Sequence, residues 1–249
     1  MDHSRSATRR GLLASTAAVT FSGVTGAAAR VYPGGAMPWD SGAADPPAEV
    51  RPGPWLFFTA DEGRLVEAIV ERLIPADDLS VSGKDAGCAV FIDRQLAGSF
   101  GKSTWLYRLP PFQAGLPTQG EQADTTPAIE YRRFLAAIDA YCRANFGGKV
   151  FAELPNDQRD QFLTGMEKGE IQLGGGINSG DAFKQILDNT MEGFFADPIY
   201  GGNRDMVSWR MIGYPGTRYN YLDHVSKHNV KYPLPPVSLL GRPEWDLRG

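Results

Sequence analysis

The sequence predicts an all-α protein: a single orthogonally packed helical domain with long irregular loops and an extended N-terminal lead-in. Three observations carry that expectation. Apolar residues recur at the three-to-four interval of a helix face in four separate segments. Capping residues, prolines and glycines bound those segments where helix ends require them. No alternating strand series and no internal repeat lies between them.

Residues 1–29 read as a targeting segment that precedes the fold. Asp2, Arg5, Arg9 and Arg10 come before an uncharged, small-residue stretch over 11–29, the charged, apolar and Ala-x-Ala order of a signal peptide. Cleavage after Ala29 leaves 220 of the 249 residues, a length suited to one substantial core. Thr8, Arg9, Arg10, Gly11, Leu12 and Leu13 resemble the twin-arginine export signal, which bacteria use for proteins already folded in the cytoplasm. A general secretory signal and a single N-terminal anchor are the alternatives. Against the anchor, residues 12–29 are diluted by Ser, Thr and Gly, whereas a spanning helix wants about 20 predominantly apolar residues.

Charge narrows the partners. The chain carries 25 Lys plus Arg and 29 Asp plus Glu; without the three arginines and one aspartate of the signal, 22 stand against 28. That balance lacks the basic surface on which nucleic-acid affinity depends. It also argues against attraction of the body as a whole to anionic lipid, so membrane contact is expected to be indirect, through a partner.

Along the remaining chain, residues 30–58 form a Pro/Gly-rich lead-in with six prolines between positions 33 and 54, read as a linker or strap. A helical domain with an irregular C-terminal tail is expected over 59–249. Thr59 and Glu62 have capping-box spacing, and Leu65, Val66, Ile69, Val70, Leu73 and Ile74 then share one face until Pro75. A second short helix is expected over 86–100, with a modest apolar face. Thr126 and Pro127 start a long helix whose stripe is Tyr131, Phe134, Leu135, Ile138, Tyr141 and Cys142, ended by Gly147 and Gly148. Pro155 introduces another, with Phe162, Leu163 and Met166 inward and Gly169 beyond its end. Ser179 is expected to cap the next, with Phe183, Ile186, Leu187, Met191, Phe194 and Phe195 inward, and a short helix follows near 205–211.

Most chemically suggestive residues fail on their spacing. His224 and His228 are four apart, but position 225 is Val rather than the Glu of a zinc-protease motif. Gly174, Gly175 and Gly176 precede a helix without the Gly-Lys-Ser/Thr ending of a nucleotide loop, so a hinge is the plainer reading. Asp77 and Asp78 suit a turn better than acid–base chemistry. Cys88 and Cys142 lack redox or haem-attachment spacing and are either buried thiols or a disulfide. No catalytic, cofactor-binding or metal residue is assigned.

The densest unusual stretch is 193–216. Paired glycines and prolines there fix sharp turns around Tyr200, Trp209 and Tyr214. It reads either as an irregular cap over one end of the core or as an obligate interface with a larger subunit. The interface residues would be Tyr200, Gly201, Gly202, Asn203, Arg204, Trp209, Tyr214, Pro215 and Gly216.

These residues, with Leu73-Ile74-Pro75-Ala76-Asp77 and Phe195-Ala196-Asp197-Pro198-Ile199, make the chain resemble the gluconate 2-dehydrogenase subunit 3 family. The resemblance implies the small subunit of a bacterial membrane-associated complex oxidising a sugar, sugar acid or polyol. FAD would sit in a large glucose-methanol-choline-type flavoprotein, and haem c in a multihaem cytochrome that takes the electrons. This chain would carry the twin-arginine signal, help the flavoprotein mature and escort it to the periplasm. A stand-alone envelope protein is the alternative.

Overall fold

The structure, a computed structural model, describes residues 50–240 apart from positions 105, 107–109, 114, 117, 120–123 and 219. Arg9, Arg10, the signal and most of the lead-in fall outside the described residues. Seven α-helices are present among those described: α1 Ala60–Leu73, α2 Cys88–Ala97, α3 Ser99–Lys102, α4 Pro127–Asn145, α5 Asn156–Glu167, α6 Ser179–Phe195 and α7 Val207–Ile212. Short 3-10 turns join them, and the only β feature described is an isolated parallel bridge between Gly216 and Val237. The all-α expectation holds.

Local chemistry explains most boundaries. Thr59 N–H donates to the Glu62 carboxylate at 2.8 Å while Thr59 Oγ1 accepts from Glu62 N–H at 3.3 Å, closing the capping box that starts α1. Thr126 Oγ1 accepts from Ile129 N–H at 3.4 Å, and Pro127 occupies the first helical position of α4. α6 differs from expectation. Its cap is Asn178, whose Oδ1 accepts from Gly180 N–H at 2.8 Å and Asp181 N–H at 3.3 Å. Ser179, one residue later, is buried with its hydroxyl unpaired. A longer amide side chain reaches two orphan donors, which fixes the start of the helix one position earlier.

The helix expected over 86–100 breaks at Gly98, whose extended backbone separates α2 from α3. A Cβ at Gly101 would collide with the Leu96 carbonyl, so glycine lets α3 fold tightly back. The face of α2 is also larger than expected: Cys88, Ala89, Phe91, Ile92 and Leu96 are all buried. α2 packs on α6, α1 contacts α2, α5 and α6, and α3 lies on α4. Along α6, Ile186 and Phe194 point inward with Ala182, Thr190 and Gly193, while Met191 is exposed. Small residues at those positions admit the neighbouring helices closely; a Cβ at Gly193 would lie 2.9 Å from the Phe91 ring.

Part of the strap is packed. Trp55 and Phe57 are half-buried, Phe58 is buried, and the three rings meet edge to face. The Asp93 carboxylate of α2, itself fully buried, accepts N–H bonds from Leu56, Phe57 and Phe58, each at 2.9 Å, and pairs with Arg94. Arg132 of α4 donates to the Phe57 carbonyl and the Glu62 carboxylate, with its guanidinium 4.1 Å above the Phe57 ring.

Cys88 and Cys142 are buried free thiols. Burial pushes both up to about 12. The folded state therefore holds these protons more tightly than the unfolded chain, whose thiols titrate near 9. The stabilisation is complete below that value and lost as pH rises towards about 12. Urea midpoints should stay level from neutral pH to about pH 9 and then fall, with Cys88→Ala and Cys142→Ala reducing the alkaline drop. Thiol reagents at neutral pH should label neither cysteine until the chain is unfolded.

Candidate partner interface

The expected interface residues divide between interior and surface. Gly201, Gly202, Asn203, Trp209 and Gly216 are buried, Pro215 is half-buried, and Tyr200, Arg204 and Tyr214 are exposed. The buried residues fit the reading of an irregular cap, and only the exposed ones are accessible to a partner.

The buried set builds a rigid turn on the end of α6. Asn203, fully buried and in the left-handed region, donates from Nδ2 to the Ala196 carbonyl at 2.8 Å. Its Oδ1 accepts from Ser208 N–H at 3.0 Å and Ser208 Oγ at 2.8 Å. Trp209 donates from Nε1 to the Phe195 carbonyl at 2.9 Å, so both ends of the turn are tied to the last residues before and after α6 ends. Arg204 N–H reaches the Ala86 carbonyl at 3.0 Å, attaching the turn to the start of α2. Asp197, also buried, accepts from Ile199 N–H at 3.0 Å and from Leu239 N–H at 2.8 Å. The described end of the strap arrives at the same place, with Val50 N–H donating to the Ile199 carbonyl at 3.0 Å. Glycine is required where these backbones converge: at Gly202 against Gly193, and at Gly216 against Val237.

What this scaffold displays is α7 and the residues after it. Trp209 holds the Tyr214 ring edge to face at 5.0 Å, leaving the outer side of Tyr214 to solvent. Met211 and Ile212 project outward, Ile212 at 58% exposure. Opposite α7 lies the turn after α1, where Asp77 Oδ1 accepts from Leu79 N–H at 2.8 Å and Ser80 N–H at 2.9 Å. That turn-capping role fits the plainer reading of Asp77. It also pushes Leu79 to 73% exposure beside the half-turned-out Val81. Between the 76–81 turn and Val207, Arg210 and Met211 runs an open groove of about 530 Å³. Its lining combines Ala76, Leu79, Val81, Val207 and Met211 with the acidic Asp77 and Asp78 and the basic Arg210. Sequence reading did not anticipate Leu79, Val81 or Met211 at this site. Leu79 and Val81 follow the end of α1 and read as ordinary loop composition, and Met211 sits in a helix too short to show a face, until the two segments are seen side by side.

Other suggestive residues acquire plain roles. Gly174, Gly175 and Gly176 are exposed with left-handed backbone, and the Gly175 carbonyl accepts from Arg133 at 3.0 Å, so the loop offers an acceptor to a cation. Only Leu222–His224 forms a 3-10 turn around the histidines, which removes the shared helical face of His224 and His228. His224 instead lies 4.7 Å from the Tyr232 ring. Among the described residues no three His, Cys, Asp or Glu side chains are grouped to hold a metal, and no helix is long and apolar enough to cross a membrane.

No curated protein and no solved structure matches the chain. Residues 60–216 match the sequence model of gluconate 2-dehydrogenase subunit 3, a span that runs from the first residue of α1 to the glycine that ends the buried turn. The chain belongs to the gluconate 2-dehydrogenase subunit 3 family.

Proposed function

We propose that this chain is the non-catalytic small subunit of an FAD-dependent dehydrogenase complex acting on a sugar, sugar acid or polyol, and that it docks its large flavoprotein partner through the groove beside α7. One observation carries the reading. The two segments that bear the family resemblance, 73–77 and 195–216, are distant in sequence, yet both contribute to one exposed groove, lined by Ala76, Asp77 and Leu79 around the first and by Arg210 and Met211 from the second. Apolar side chains rimmed by opposite charges are the surface that a stable protein contact uses. A subunit that binds only the folded flavoprotein stabilises it by mass action, which makes it a maturation partner as well as a structural one. In this reading the large subunit is of the glucose-methanol-choline type and holds FAD. A multihaem cytochrome c carries the electrons onward, and the complex works in the periplasm, held to the cytoplasmic membrane chiefly by its partners. Arg9 and Arg10 supply the twin-arginine signal under which both chains cross together.

Two measurements test this. Coexpressed with its genomic neighbours, the tagged chain should copurify with a flavin-containing partner. The double substitution Leu79→Asp with Met211→Asp should weaken that association by about 30-fold or more, as loss of a hot spot does. Its thermal midpoint should barely change, because both side chains are exposed. Replacing Arg9 and Arg10 with lysine should leave the flavoprotein's activity in the cytoplasm. Export of an active partner despite that change contradicts the escort role, and recovery of the chain alone from such cells favours a stand-alone envelope protein.

A further inference from the structure

Beyond the matched span, residues 220–236 lie in a loop whose flanks meet. Its base is clamped: Thr217 N–H donates to the Val237 carbonyl at 2.6 Å, Val237 N–H to the Pro215 carbonyl at 3.2 Å, and Leu239 N–H to Asp197. Inside the loop Tyr221 and Tyr232 meet edge to face at 5.9 Å, and the Arg218 guanidinium lies 5.0 Å over Tyr232 while donating to the Pro235 carbonyl. His224 closes this stack. The rings of Tyr221, His224 and Tyr232 and the Arg218 guanidinium thus hold the shape of the loop.

Its outer surface has a different composition. Leu222 is 75% exposed, Val225 69% and Val230 63%, and Leu234 is exposed as well. Lys227, His228 and Lys231 lie among them, also exposed. Two exposed lysines stand against a single acidic residue, Asp223, in a chain that is acidic as a whole. Protein interfaces draw on tyrosine, tryptophan and arginine and are depleted in lysine. Here Arg218, Tyr221 and Tyr232 are half-buried against one another, while the aliphatic side chains and the lysines are exposed. Aliphatic side chains flanked by lysines, whose stems lie along apolar surface while their ammonium groups stay wet, suit the headgroup region of an anionic bilayer.

We propose that the 220–236 loop is a direct docking element for an anionic lipid surface, inserting Leu222, Val225 and Val230 at headgroup depth while Lys227 and Lys231 engage lipid phosphates. This contact does not rest on the proposed function and adds a local, oriented attachment to whatever the partners supply. The acidic remainder of the chain is repelled by the same surface, so the loop sets which side approaches.

Flotation of the full chain with vesicles tests it. Binding is expected to phosphatidylethanolamine vesicles containing phosphatidylglycerol, weaker binding to phosphatidylcholine vesicles, and a decline with added salt. Lys227→Ala and Lys231→Ala should each reduce binding about fivefold, and Leu222→Ser with Val225→Ser about tenfold or more. Thermal midpoints of these variants should match the parent, since all four side chains are exposed. The N-terminal 29 residues are common to parent and variants, so the difference between them reports the loop. Equal binding to both vesicle types, or variants that float like the parent, overturns the proposal. So does a result in which the variants keep vesicle binding and instead lose a copurifying protein, which would make the loop a protein contact.

Discussion

Replacing Asp93 with alanine is expected to destabilise the folded chain by about 3–5 kcal/mol, the scale for removing one partner from a buried, hydrogen-bonded charge pair. The carboxylate is fully buried, and alanine would strand three backbone N–H groups, from Leu56, Phe57 and Phe58, together with the Arg94 guanidinium. Each stranded donor costs its desolvation without return. Asparagine should be less damaging yet still harmful. Asp93 Oδ1 serves Phe57 and Phe58, which an amide oxygen can keep, but Oδ2 faces Leu56 N–H and Arg94, where an amide NH2 presents donors to donors. Urea midpoints rank the three proteins. Amide hydrogen exchange at 56–58 locates the effect, because these amides should open before the rest of the chain in Asp93→Asn. Equal stability of Asp93→Ala and the parent would mean that the strap is not held by this carboxylate.

That the strap needs such an anchor was invisible in the sequence. Asp93 sits in the apolar stretch of α2, and apart from the adjacent Arg94 its partners lie more than thirty positions earlier. What was legible depended on near neighbours. Thr59 with Glu62, and Thr126 with Pro127, act within one turn, so their residue types alone set where α1 and α4 start. Met191 failed for a related reason. Its spacing matched the apolar stripe of α6, but Asn189 and Thr190 take the inward positions, Asn189 accepting from the Tyr131 hydroxyl at 2.8 Å and Thr190 bonding the Ile186 carbonyl at 2.7 Å. A polar residue whose partner lies in another helix cannot be told from a surface residue by periodicity.

The Gly-rich stretch shows the same limit at the site itself. Its unusual composition was visible, and two physical demands produce such composition: close backbone packing and display of a contact surface. Gly202 and Asn203 answer the first, Tyr214 and Ile212 the second. The family match spans residues 60–216 and includes the whole stretch, so it does not separate them. Burial does, and the contact surface proposed above accordingly lies on α7 and across at Leu79.

Gly202→Ala is therefore expected to act on folding, at a cost of about 3 kcal/mol or more, the upper range for overpacking a close-fitted interior. The added Cβ would collide with the Gly193 carbonyl oxygen and lie 2.8 Å from its carbonyl carbon and 3.1 Å from its Cα. No flexible side chain is there to swing aside. Gly193 cannot retreat either, since its own Cα faces the Phe91 ring and it belongs to the last turn of α6. Relief would have to come from the turn at Asn203, breaking bonds to Ala196 and Ser208 and loosening the support under Trp209. The variant should thus lose partner binding together with thermal stability, and low temperature or an osmolyte that favours burial should restore both in parallel. Leu79→Asp with Met211→Asp should lose binding alone, and no osmolyte should restore it. If Gly202→Ala folded with parental stability but failed to bind, the glycine itself would belong to the contact, and the division between scaffold and surface would be wrong.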